Sequence, residues 1–223
     1  MTINIAIDGP AGAGKSTIAR EVAKTLSFIY VDTGAMYRAI ALYVLKKGID
    51  PKDQLSVCEN CKFAQIELKY ENRKQKVLLN GEDVSTEIRE EVVGNVASVV
   101  ARYDEIRKKL NVLSRRLAET TNVVMDGRDI GTVVLPKAEI KIFLTASVDT
   151  RACRRFLELQ ERGENPSLAE IREDIRQRDY QDMHREQSPL YQASDAILID
   201  SSDMKISEVV DEILNICQKR CQI

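Results

Sequence analysis

The chain has 223 residues, 43% of them apolar and 30% charged, with a formal net charge of -2. A chain of this length buries a core without disulfides or structural metal, and so balanced a charge provides no global field for nucleic acid. No apolar run approaches the roughly 20 residues of a spanning helix. MTINIAIDG leads directly into a strand without a basic and apolar leader, so a cytoplasmic protein with no membrane partner is expected.

In chain order, Ile3 to Asp8 reads as a short, β-branched, buried strand. A glycine-rich turn, Gly9 to Thr17, follows, and Lys15 to Leu26 carries Ile18, Val22 and Leu26 at helical spacing. Phe28 to Val31 reads as a second strand, and Gly34 to Lys47 as a helix that buries Ile40, Leu42 and Leu45 and stops at Gly48. Residues 52–90 break the rhythm. Gln65 to Tyr70 and Lys76 to Leu79 read as strands around the polar turn Glu71-Asn72-Arg73-Lys74, with a third short stretch after Gly81.

Helices are expected near 91–101 and 103–120, strands at 122–125 and 139–144, and charged helices at 149–162 and 168–185. A strand at 196–199 and a helix at 206–219 close the chain. Strands alternating with helices predict an α/β fold, a mostly parallel sheet flanked by helices. The interruption adds a small inserted antiparallel β lobe at about 63–90, inside one domain whose core is 1–50, 91–150 and 190–223.

The strongest motif is GPAGAGKST, which fits G-x-x-x-x-G-K-[ST] between a strand and a helix. Gly9, Pro10, Ala11, Gly12, Ala13 and Gly14 form a loop whose amides can curl around an anion, and the helix that follows points its positive end there. Lys15 is expected to reach the β- and γ-phosphates of ATP; Thr17 completes the loop, and the Ser16 hydroxyl is a candidate ligand for Mg2+. D-x-x-G and N-K-x-D, which a guanine-nucleotide switch needs, do not occur.

Asp32-Thr33-Gly34 and Asp126-Gly127-Arg128-Asp129 each follow a strand, at the sheet edge where open α/β folds bind ligands. Capping carboxylates in a turn would explain Asp126 and Asp129 equally well. Arg151, Arg154 and Arg155 share part of a helical face; Arg178 and Arg185 share another, with Asp182 between them. Such arginines grip phosphate oxygens in pairs, or simply lace a solvated helix with ion pairs to Glu158, Glu161, Glu173 and Asp174.

Taken together, IDGPAGAGKST, YVDTGAMYRA, LNGEDVSTEIR, NVASVVARYDEIR, VMDGRDIGTVVLP, KIFLTAS, RQRDYQDMHREQSPL and DAILIDSS resemble the cytidylate kinase family along nearly the whole chain. The resemblance implies a P-loop kinase fold with a short lid at about 150–175, and γ-phosphoryl transfer from ATP with Mg2+ to CMP or dCMP. It implies that Thr33, Tyr37, Ser98, Arg107 and Asp129 surround the cytosine. Arg38, Arg128 and Arg185 would hold the acceptor phosphate, and Asp182, with Arg178, the sugar. Arg151, Arg154 and Arg155 would lie at the lid over ATP, and Lys15, Arg128, Arg154 and Arg185 would serve the transfer. Partners would be the nucleotides alone, with a monomer expected. The alternatives are a kinase for another small acceptor, such as shikimate with Asp32 as base, or a nucleotide-binding switch. Cys58, Cys61, Cys217 and Cys221 read as unpaired thiols ahead of a zinc site. His184, the single histidine, reads as a surface residue.

Overall fold

The computed structural model describes residues 2–71 and 74–222. Five strands form the main sheet: β1 (Asn4–Asp8), β2 (Ile29–Asp32), β6 (Val123–Gly127), β7 (Ile140–Thr145) and β8 (Ile197–Asp200). They run parallel in the order β2-β6-β1-β7-β8. β3 (Ile66–Glu71), β4 (Lys74–Leu79) and β5 (Glu82–Asp83) make a separate antiparallel sheet. The helices are α1 (Lys15–Leu26), α2 (Thr33–Lys46), α3 (Gln54–Cys61), α4 (Glu91–Val100), α5 (Asp104–Thr120), α6 (Val148–Glu161), α7 (Leu168–His184) and α8 (Ile206–Cys221).

Side chains alternate across the main sheet because the strand period is two. Ile5, Ile7, Tyr30, Val124, Ile142 and Ile199 face α1 and α8, where they pack with Ile18, Val22, Val209 and Ile213. Ala6, Val31, Val123 and Met125 face the other layer, built by α2, α3, α4 and α5 through Met36, Ile40, Val57, Val96 and Ile106. Each fully buried aliphatic side chain contributes about 1.5–3 kcal/mol of transfer free energy. Ile7→Ala would therefore open a void in the central strand at a cost of about 2–5 kcal/mol.

The parallel register aligns the carboxyl ends. Asp32 lies opposite Asp126, and Asp8 opposite Gly127. Chain order reverses across β1, with β6 on one side and β7 on the other, and such switch points open a crevice for ligands.

Two elements differ from the sequence reading. Residues 54–61 form α3, a helix capped by the Asp53 side chain accepting from Ser56 N–H at 3.1 Å. The segment after Asp129, which the sequence reading left unassigned, is a π-helical turn, Ile130–Val134. Both Asp8 oxygens hold its start, accepting from the N–H groups of Ile130 (2.8 Å) and Gly131 (2.7 Å). Leu45 is half-buried rather than buried. The hairpin strands come closer together than expected, and the turn residues Asn72 and Arg73 lie outside the described residues.

Candidate active site

The glycine-rich loop bridges the end of β1 and the start of α1. Gly9, Gly12 and Gly14 have φ of 151°, 75° and 86°. Gly9 is the position where no side chain fits, since a Cβ there would lie 1.9 Å from the Leu144 carbonyl oxygen. Pro10, Ala11 and Ala13 are buried, Gly12 and Thr17 exposed. Lys15 is buried with its ammonium folded back on the loop, donating to the Pro10 carbonyl at 2.7 Å. Burial and then the neighbouring Arg128 guanidinium push the Lys15 pKa down, and an anion brought close to it would push it back up.

Ser16, in the first turn of α1, points across to β6. Its hydroxyl donates to Asp126 Oδ2 at 2.9 Å, the Tyr30 hydroxyl donates to Oδ1 at 2.9 Å, and the Thr33 hydroxyl donates to the Asp126 carbonyl at 2.7 Å. Burial, and then the like charge of Asp32, raise the Asp126 pKa. Spacing alone left Asp126 open between turn cap and site group. The structure sets it against the phosphate loop, and the signal available was its place at the end of a buried strand.

Asp126-Gly127-Arg128-Asp129 straddles the edge, so that Asp126 faces the loop while Asp129 faces the opposite side. Asp129 is 4% exposed and pairs with Arg107 of α5, which is 2% exposed. Arg185 lies 3.6 Å from the other Asp129 oxygen. The Arg107 guanidinium also sits 5.7 Å over the Tyr37 ring. Burial works against its charge, but Tyr37 and Asp129 outweigh burial and raise its pKa. Burial drives the Tyr37 phenol up to about 12. Thr33, Tyr37 and Asp129 share the wall of a small cavity with Asn111 and Ser114. Arg107 Nε and Arg185 Nη2 are buried donors without a hydrogen-bond partner among the described residues. Ser98 stands apart from this group: its hydroxyl donates to the Gly94 carbonyl one turn back at 3.2 Å.

Arg128 Nε donates to Asp182 Oδ2 at 2.7 Å, and Arg185 lies 3.9 Å from Asp182 Oδ1. Burial opposes the Asp182 charge, yet Arg128, Arg185 and Arg178 hold its pKa below the usual carboxylate value. Arg185 follows the end of α7 in extended backbone and donates through Nε to the Ser188 carbonyl at 2.7 Å. Arg178 has no hydrogen bond or ion pair among the described residues. Burial, and then the Arg128 charge, lower its pKa to about 10. Arg38 donates to the carbonyls of Ile88 (3.0 Å) and Glu90 (3.4 Å) and lies against Gly94, where a Cβ would come within 2.9 Å of the guanidinium.

Asp32, the sequence candidate for a base, is fully engaged. Its Oδ1 accepts from Ala35 N–H at 2.9 Å, capping α2, and its Oδ2 pairs with Arg89 at 3.0 Å. The inserted sheet also reaches it, because Asp32 N–H donates to Gln75 Oε1 at 2.9 Å. Neither Arg89 nor Gln75 had a signal in the spacing.

The three arginines of α6 divide. Arg154 lies beside the loop, 4.0 Å from where a Gly14 Cβ would be, and donates to the Ser201 carbonyl at 2.7 Å. Arg155 pairs with Glu158 at 3.1 Å. Arg151 is buried and held at Nε and Nη1: it donates to the carbonyls of Ala146 (2.8 Å) and Ala11 (3.0 Å) and pairs with Asp179 at 2.7 Å. It braces the loop rather than projecting over it. His184 is exposed and stacks on Tyr180 with ring centroids 4.0 Å apart.

A loop of this geometry cradles a nucleotide's phosphates, and the fold around it is that of the P-loop kinases. A gluconokinase from Sinorhizobium meliloti superposes with a TM-score of 0.53 over 99% of this chain and 94% of its own, at 13% identity. A shikimate kinase from Bacteroides thetaiotaomicron gives 0.50 over 97% and 98%, at 14% identity; identities so low speak for the fold alone. The chain belongs to the cytidylate kinase family, whose pattern matches residues 5–219. A cytidylate kinase from Caldicellulosiruptor saccharolyticus is 50% identical over 217 residues, 97% of this chain and 96% of the relative. One from Bacillus licheniformis is 50% identical over 219 residues, 98% and 97% of the two. No helix among the described residues is long and apolar enough to cross a membrane.

Proposed function

We propose that the protein transfers the γ-phosphoryl group of ATP to CMP or dCMP, giving ADP and CDP or dCDP. The observation that carries this reading is the straddling segment 126–129. It sets the loop side, with Lys15, Ser16 and Asp126, next to a buried Arg107–Asp129–Arg185 cluster that offers unpaired donors. Cytosine presents acceptors at O2 and N3 and a donor at N4. Arg107 can donate to it through its unpaired Nε, while Asp129 and the Thr33 hydroxyl complete the edge, with Tyr37 beside them and Ser98 one helix away. All of these groups come from one chain, so a monomer suffices.

Ser16 and Asp126 fit Mg2+. They are hard oxygen donors 2.9 Å apart at a helix start, and the described residues hold no group of three or more acidic, histidine or cysteine side chains suited to a metal. Mg2+ is commonly held this way, by one or two protein oxygens with waters and phosphates supplying the rest. When bound, the ion would neutralise charge on the β- and γ-oxygens.

The acceptor phosphate is largely dianionic near neutral pH, with a second pKa of about 6, so it needs no general base. Asp32, capped and paired, is accordingly not required as one. The chain's task is to align two anions that repel. Lys15 turns from the Pro10 carbonyl to the β- and γ-oxygens. Arg38, Arg128 and Arg185 draw in the acceptor phosphate, and Arg178 offers an unpaired charge beside them. Asp182, held by Arg128, accepts from the sugar hydroxyls. Arg154 stands at the loop to meet charge that spreads in the transition state. Arg155, with the α6–α7 segment around 150–175, closes over ATP as a lid, while Arg151 keeps the loop in place. The inserted sheet, contacting Asp32 through Gln75, closes the acceptor side and keeps out water.

The test is ADP release from ATP and Mg2+ with CMP, dCMP, UMP, AMP or shikimate added singly. Stimulation by CMP and dCMP is the expected result. Stimulation by shikimate alone, or by none of the five, overturns the reading.

A further inference from the structure

The strand residue Tyr30 reads as a β-forming core position, yet its hydroxyl is not idle. The side chain is 8% exposed and packs in the same apolar cluster as Ile18, Val22 and Val124. On its open side the Arg20 guanidinium lies 5.5 Å over the ring. The period of two puts Tyr30 and Asp126 on the same face of neighbouring strands, the face covered by α1. There the hydroxyl donates to Asp126 Oδ1 at 2.9 Å while Ser16 donates to Oδ2 at 2.9 Å.

The terminal torsion of an aspartate is broad and roughly two-fold, so one hydrogen bond leaves a carboxylate free to swing. Asp32 lies directly across the register from Asp126, and like charges opposite one another repel. A second anchor is needed to fix the group. We propose that Tyr30 is a positioning residue for the metal side of the site, holding Asp126 Oδ1 so that Oδ2 stays turned toward Ser16 and the incoming ion. This rests on the reading of Ser16 and Asp126 as the Mg2+ side. Groups that orient a metal ligand commonly change metal affinity by 10- to 100-fold when removed. The Asp126 carboxylate is held by two hydrogen bonds, and the one from Ser16 remains when the Tyr30 hydroxyl is removed, so the low end applies here.

Tyr30→Phe removes the hydroxyl and leaves the ring under Arg20. Calorimetric titration with Mn2+-ATP should show an affinity about tenfold weaker than wild type. Titration with ATP in EDTA should match wild type, and the KM for CMP should not move. Half-saturating Mg2+ in the kinase assay should rise by a similar factor. Placed on Asp126→Asn, the same change should add less than about twofold, because the group it orients has lost its charge. Equal Mn2+-ATP affinities for Tyr30→Phe and wild type overturn the inference. So does an equal loss with and without metal, which marks the hydroxyl as a support of the fold alone. Tyr30→Met, which keeps apolar bulk at the site, gives the same comparison if the phenylalanine variant does not accumulate folded. Asp126→Asn by itself separates the two levels. If it leaves Mn2+-ATP binding intact, the metal-side reading fails; if it weakens binding and Tyr30→Phe does not, only the role of Tyr30 fails.

Discussion

Asp129→Asn isolates the buried cluster that the proposed base recognition uses. Asp129 is the shared counter-ion of Arg107 and Arg185, whose side chains are 3% and 8% exposed. Two unit charges about 4 Å apart interact by about 4 kcal/mol at an effective dielectric of about 20. Removing one partner of a buried pair costs about 3–5 kcal/mol, mostly from the charge left behind. Asparagine keeps a carbonyl that can still accept from Arg107, which places the loss near 3 kcal/mol. For a chain of this size each kcal/mol moves Tm by about 2–4 °C, so scanning calorimetry should show a fall of about 6–12 °C. If the same energy holds Arg107 in place for the base, kcat/KM for CMP drops about a hundredfold. The KM for ATP should stay within about twofold, since the loop does not touch Asp129. A Tm shift below about 3 °C, or a CMP constant equal to wild type, would refute the argument that this pair is both buried and functional.

Lys15→Ala should fold normally and lose about 10²–10³ in kcat, the usual effect of removing one preorganised electrostatic partner; a folded variant with wild-type turnover would contradict its place at the phosphates. Arg178→Met should leave the Tm of the free protein unchanged or raised, because Arg178 is a desolvated cation beside Arg128, while the KM for CMP rises; the two readouts are thermal unfolding and initial rates. Burial raises the Asp8 carboxyl to about 6, although the Gly131 and Ile130 amides counteract this. A carboxyl with its folded pKa above the unfolded value of 3.8 binds a proton more tightly in the native state. Its contribution is therefore fully present below about pH 4 and lost as pH rises through about 6. The stability difference between wild type and Asp8→Asn, from urea titrations at pH 4.5 and 7, should accordingly favour wild type more at the lower pH; the opposite slope would reject the assignment.

What the sequence revealed follows from how local each signal is. GPAGAGKST needs only its own backbone and the flanking strand and helix to be recognised, and its elements formed where expected. Short continuous apolar runs located the main strands to within a residue or two, because a buried strand excludes polar side chains from both faces. α3 escaped notice: Val57 and Cys61 are its only buried positions, too few for the period of 3.6 to stand out in a polar stretch. The π-helical turn was illegible for another reason. Its start is fixed by Asp8, more than 120 residues earlier. The same holds for the site. Arg128 and Asp182 sit 54 residues apart, Arg107 and Asp129 22 apart, and only the fold pairs them. Arg151 shared a helical face with Arg154 on paper, yet its partners, Ala11 and Asp179, lie on two other elements.

That same side chain has a mechanical consequence. One guanidinium clasps the carbonyl of the phosphate loop and the carboxylate of Asp179, and Asp179 lies on the helix that also bears Arg178 and Asp182. On the proposed reading, the donor nucleotide binds at one end of this short tether and the acceptor near the other, so a nucleotide that tightens one end would change the position from which the other end must start.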